Sequence, residues 1–232
     1  MATVGDRRET RRRLESREPA YRFGIVLLLL LATFIFLATG PTGDWVPLVA
    51  VVLQGATLIA AFAASGVGHR LWQIGLVVVV GALVSAAIGI FIGGDRVVGS
   101  LFLLNLLLVG TAPVVIIHSL ARRRVIDLRT VLGAVCVYVL IGMVWSFAYS
   151  AIGTLDSEPF FAQQSHATVA DYLYFSFVTL TTTGYGDLTA AHGLGRAVAV
   201  LEALIGQLYL VTVIALLVSN IGRRGGIRQQ AE

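Results

Sequence analysis

The chain has 232 residues, 57% of them hydrophobic and 13% charged, where a soluble domain usually carries about 25% charged residues. The apolar residues come in long runs, which excludes a water-soluble enzyme domain, and their abundance excludes a disordered chain. The net charge of +4 rests on arginine with no lysine, a usage that suits a GC-rich bacterial genome, and its placement points to a membrane instead of nucleic acid.

A bilayer core of ~30 Å needs ~20 mostly apolar residues per helix. Residues 1–22 form a basic leader. After it, six segments read as spans: 23–39, 46–64, 71–92, 97–120, 131–151 and 194–221. The apolar stretch 170–180 is too short to cross and reads as a re-entrant helix. The runs lack the alternation of barrel strands and are far longer than the ~10 residues such strands need. The expected fold is therefore all-α, with six transmembrane helices and one re-entrant helix. The leader is long for a signal peptide and no A-x-A site follows the first run, so the first span is expected to stay attached. Pro113 should kink the fourth span. Gly81, Ser85 and Gly89, like Ala56, Ala60 and Ala64, form small-residue stripes that suit close helix packing. Cys136 lies in an apolar run, so neither a disulfide nor a thiolate metal cluster is expected.

Arginine sets the direction. All but Arg96 and Arg196 of the 17 fall on one side of a six-span arrangement. The opposite loops carry Asp44, Asp95, Asp156, Glu158, Asp171 and Asp187. By the positive-inside rule, both termini are expected in the cytoplasm and the protein in the cell membrane.

Between the last two spans runs Thr179-Leu-Thr-Thr-Thr-Gly-Tyr-Gly-Asp187. Polar, glycine-containing backbone at membrane depth is tolerated where it is buried in protein or lines a watery cavity. Gly184 and Gly186 can take positive φ, which lets alternate carbonyls turn to one side. Thr182 adds a hydroxyl to that row. A row of this kind replaces the hydration shell of a desolvated monovalent cation.

At these residues the sequence resembles the tetrameric potassium channels. Thr-Thr-Thr-Gly-Tyr-Gly-Asp187 is similar to their filter signature, with Thr183 where familiar members have Val. The aromatic run Tyr172-Leu-Tyr-Phe-Ser-Phe177 precedes it as their pore helix does. Gly195-Arg196 matches a pair that follows the filter, and Gly206 falls at their inner-helix hinge. The likeness covers roughly 131–221. It implies that Thr182, Thr183, Gly184, Tyr185 and Gly186 form the ion path, with K+ as permeant ion and the only metal expected. It implies four identical subunits around one pore, because the chain carries one copy of the loop. Residues 131–222 would be the pore domain, 23–120 a four-helix prefix, 121–130 a cytoplasmic linker and 223–232 a short tail. The expected partners are membrane lipids and three further copies, without nucleic acid. No cofactor, catalysis or soluble regulatory domain is expected.

The prefix resembles a voltage sensor in helix count and not in charge. Segment 97–120 holds no arginine or lysine, its polar members being Ser100, Asn105, Thr111, His118 and Ser119, and Arg122, Arg123 and Arg124 are consecutive, so they point to different faces. Voltage sensing needs charges inside the field, so ordinary voltage gating is not expected. The arginines suit lipid headgroups or the linker.

Single residues complete the reading. Glu202 is the one carboxylate inside a span, four residues before Gly206 and so on the same face. It either sits behind the filter near Thr179 or Thr181, or is a protonated carboxyl bonded to a hydroxyl for structural reasons. By position, Tyr174, with Phe175 beside it, is expected to donate a hydrogen bond to Asp187, since Val178 stands where some relatives carry a carboxylate. Leu210, Ile214 and Val218 share a face at i, i+4 and i+8, which suits a pore-lining inner gate or plain packing. His69, His118, His166 and His192 lie near span ends and could titrate near neutrality. Two other functions compete with a channel: a potassium transporter subunit, and a non-conducting sensor on a channel scaffold.

Overall fold

The computed structural model describes residues 21–40, 46–65, 72, 73, 75–77, 79–84, 95–121, 128–156 and 158–215. These residues are helical apart from loops and one isolated antiparallel bridge, Phe161 with Ala190. Six α-helices follow in order: α1 Tyr21–Ala38, α2 Val46–Ser65, α3 Asp95–Ala121, α4 Leu128–Leu155, α5 Val169–Leu180 and α6 Gly193–Tyr209, which continues into a π-helical turn, Leu210–Ile214. Residues 75–77 and 79–84, inside the expected third span, are helical too.

Among the described residues, two helices are long and apolar enough to cross a membrane, Arg129–Leu155 and Gly193–Val213. Arg22–Ala38, Val49–Ser65, Gly75–Val84 and Asn105–Leu120 are shorter apolar helices, as is Val169–Leu180. The helices are apolar on their outward faces as well: Leu28, Ile35, Leu107 and Val114 are exposed. A helix that is hydrophobic all round belongs in a core or a bilayer. Threonines in these helices satisfy their hydroxyls locally, Thr33 on the Leu29 carbonyl and Thr57 on the Leu53 carbonyl, each at 2.8 Å. An apolar medium makes that necessary.

One core joins the prefix to the later helices. Phe23 and Leu30 of α1, Leu58 of α2, Ile116 of α3, Leu140 of α4 and Leu173 of α5 are all buried in it. The start of α1 meets the end of α2 through the Arg22 guanidinium, 3.3 Å from the Ala63 carbonyl. The end of α3 meets the end of α2 where Ser119 donates to Ser65 at 3.1 Å. Helix α1 also reaches α5 directly: the Phe34 and Phe177 rings meet edge-on, with centroids 4.8 Å apart.

Candidate functional site

Helix α5 starts on a capping box. Asp171 N–H donates to Thr168 Oγ1 at 3.3 Å, and Thr168 N–H donates to the Asp171 carboxylate at 2.7 Å. The Thr-x-x-Asp spacing is the reason, because each side chain satisfies the other's orphan amide. Asp171 is thus committed to the helix start. The same helix is wedged by an aromatic cluster of Tyr149, Phe160, Phe161, Tyr172 and Phe175. Phe161 stacks tilted on Tyr172 at 5.2 Å and meets Phe175 edge-on at 5.3 Å. Helix α5 ends at Leu180, and the glycine-containing loop begins there.

The loop turns back on the helix end. Thr183 N–H donates to the Val178 carbonyl at 2.9 Å, Gly184 N–H to the same oxygen at 3.3 Å, and Thr182 N–H to Thr179 at 2.9 Å. Beyond this point the backbone alternates. Thr182, Gly184 and Gly186 have φ of 57°, 58° and 79°, while no other non-glycine residue described has positive φ. Left-handed conformers at every second residue turn successive carbonyl oxygens to the same side. Amides tied to α5 and carbonyls left free make a strip of oxygen donors, the chemistry that suits a hard monovalent cation. Residues 181–187 are exposed in the single chain, so the strip lies open on one side. Thr181 and Thr183 share a hydroxyl contact of 2.8 Å.

The strip is braced from behind. Tyr174 Oη donates to Asp187 Oδ2 at 2.7 Å within the same chain. Phe175 beside it points into the aromatic cluster. Past Asp187, Gln163 clasps Thr189 twice, accepting from its amide at 2.9 Å and donating to its hydroxyl at 2.8 Å. Arg196 Nε donates to the Ala190 carbonyl at 3.0 Å. His192, at the start of α6, lies 3.1 Å from Glu158.

Helix α6 packs on α5 by close approach. A Cβ at Gly206 would stand 2.4 Å from the Leu180 carbonyl oxygen, so no larger residue fits there without movement. Glu202, a turn earlier, is fully buried. Its partners are Ser176 and Tyr149, each hydroxyl at 2.5 Å. The expected neighbourhood near Thr179 or Thr181 lies about one turn of α5 beyond Ser176, and hydroxyl partners are what the carboxyl has. The π turn then shifts the register: Ala215 N–H reaches the Leu210 carbonyl, five residues back. Ala215 therefore follows Leu210 along the helix, where α-helical spacing had placed Ile214. Val218 and His69 lie outside the described residues.

Sequence reasoning missed Ser176, Tyr149 and the capping box of Thr168 and Asp171. The Thr-x-x-Asp spacing before an apolar run was a signal that could have found the box. Ser176 and Tyr149 had no local signal, because a hydroxyl on an apolar helix declares its partner only when the helices meet. The left-handed Thr182 carried none either, since sequence marks the glycines for that conformation.

Among the described residues, the fold and the site together define an all-helical arrangement in which two membrane-length helices flank a shorter helix and an oxygen-rich loop. A family model described as ion channel matches residues 133–223, from α4 through the loop and into the region beyond the π turn. The match supports an ion channel over an enzyme. Comparison with curated proteins finds no match.

Proposed function

We propose that the chain is one subunit of a potassium-selective channel of the cell membrane. The observation that carries this reading is the alternation of left-handed residues at Thr182, Gly184 and Gly186. It leaves the carbonyls of Thr182, Thr183, Gly184 and Tyr185 to replace the water around a permeating K+, with Gly186 completing the outer mouth. One chain supplies one strip, so four identical subunits close the ring. The earlier apolar helices, counted with the two long ones, make six spans with both termini cytoplasmic, as the arginine placement favours. Gly206 lies where the inner helix packs on α5, and Leu210, followed through the π turn by Ala215, stands towards the cytoplasmic end of the pore.

Purified protein in liposomes tests this. The expected current reverses at the potassium equilibrium potential and falls when sodium replaces potassium. Equal permeability to both ions, or no current, overturns the reading. A transporter subunit would give saturable flux without single-channel steps.

A further inference from the structure

Helices α4, α5 and α6 meet at a fully buried polar cluster that the ion path does not use. Glu202, Ser176 and Tyr149 each have no solvent exposure. Ser176 Oγ lies 2.5 Å from Glu202 Oε1 and 2.7 Å from the Gly142 carbonyl of α4. Tyr149 Oη, also on α4, lies 2.5 Å from Glu202 Oε2.

Counting protons decides how these contacts are made. Ser176 owns one proton and faces two acceptors; Tyr149 owns one and faces one. An ionised carboxylate can only accept, so with Glu202 charged one of the two Ser176 contacts would have no proton. With one proton on Oε1 every contact has its own. Glu202 donates to Ser176, Ser176 donates to the Gly142 carbonyl, and Tyr149 donates to Oε2. A neutral acid also removes the cost of an unpaired buried charge.

The cluster has a second anchor one turn along. Glu202 and Gly206 are four apart on α6, and Ser176 and Leu180 four apart on α5, so each pair shares a face. At the second point α6 touches the Leu180 carbonyl, which also accepts from Tyr138 of α4 at 3.3 Å. Between these anchors lies Val178, whose carbonyl holds the Thr183 and Gly184 amides.

We propose that Glu202 is a positioning residue, held as a neutral carboxylic acid, that locks the end of α5 to α4 and α6 and so sets the height and tilt of the oxygen strip. The proposal rests on reading that strip as the ion path.

The test uses the full chain in liposomes. Glu202→Gln keeps the shape, donates to Ser176 and accepts from Tyr149, so its potassium-over-sodium permeability ratio should match the parent. Glu202→Ala should lower that ratio about tenfold, the scale of one lost buried hydrogen bond. A Gln variant as impaired as the Ala variant, or an Ala variant equal to the parent, overturns the proposal. The infrared difference between parent and Glu202→Gln does not depend on the Ala variant folding. It should show the carbonyl stretch of a protonated carboxylic acid at neutral pH, and its absence overturns the assignment. If the parent passes no potassium-selective current, the channel reading fails separately. The infrared band and the melting of the Gln and Ala variants then still decide whether Glu202 is the neutral tie.

Discussion

Thr182 holds a φ of 57°, where a side chain with a Cβ is penalised by roughly 1–2 kcal/mol. The structure sustains it because the next two amides are pinned to the Val178 carbonyl. Strain at such a place is kept when the surroundings over-determine it. Gly184, two residues on, bears the same conformation, and a Cβ there would meet nothing within 4 Å in one chain. Within one chain, Gly184→Ala is therefore a test of backbone conformation. The expected result is reduced potassium-over-sodium selectivity, read from reversal potentials, with a penalty of roughly 1–2 kcal/mol at the loop. Unchanged selectivity would take Gly184 out of the ion path. Tyr174 donates to Asp187 in the same chain, and a charge-assisted bond of this kind is stronger than a neutral one. Tyr174→Phe removes the donor and keeps the ring. Its current is expected to decay faster during sustained opening, and a decay equal to the parent's would reduce Tyr174 to packing.

At the scale of elements, α5 depends on how it is held at both ends. Thr168→Ala removes the capping box and should lower stability by about 1 kcal/mol, seen as a lower melting temperature in detergent. At the other end, Gly206→Ala pushes a methyl group against the Leu180 carbonyl. Overpacking of this kind costs about 1–3 kcal/mol, so melting should fall together with channel activity. A hinge acting through flexibility alone predicts impaired opening with unchanged melting, and the two outcomes separate the roles. The π turn gives α6 a further property. Such turns loosen the regular ladder and mark sites of bending. Here the turn moves the residue that follows Leu210 from Ile214 to Ala215. Thiol reagents added from the cytoplasm should therefore modify cysteines at 210 and 215 at similar rates. A cysteine at 214 reacting in step with one at 210, and one at 215 protected, would favour plain α-helical spacing.

For the whole molecule, the prefix helices share a core with α4 and α5, and Phe34 touches α5 itself. An edge-on ring pair is worth about 0.5–1.5 kcal/mol beyond its buried area. Phe34→Leu should thus lower the melting temperature and disturb the conductance, although α1 is more than 100 residues from the loop in sequence. A variant with parent-like conductance and melting would show that the prefix only covers the pore helices. Voltage provides a second measurement. One charge moved through the field is worth about 2.3 kcal/mol per 100 mV, and segment 97–120 has no arginine or lysine. A shallow conductance–voltage relation in symmetric solutions is expected. A steep one would place the voltage-sensing charge elsewhere.

What sequence determined by itself is what short-range physics controls. Apolar runs had to become helices, because a chain with this little charge must satisfy its backbone internally. The 170–180 stretch read as a short apolar helix, and α5 spans Val169–Leu180. Gly184 and Gly186 were legible as left-handed positions because only the missing Cβ makes that conformation cheap. Tertiary structure decided everything that depends on which faces meet. Glu202 finds its hydroxyls 26 and 53 residues away, and no periodicity in α6 names Ser176 or Tyr149. Gly206 reads as a hinge in sequence and as a close contact in space, because the Leu180 carbonyl arrives from another helix. Thr182 is left-handed because its neighbours' amides are captured by Val178, a constraint that exists only once the loop has folded back on α5.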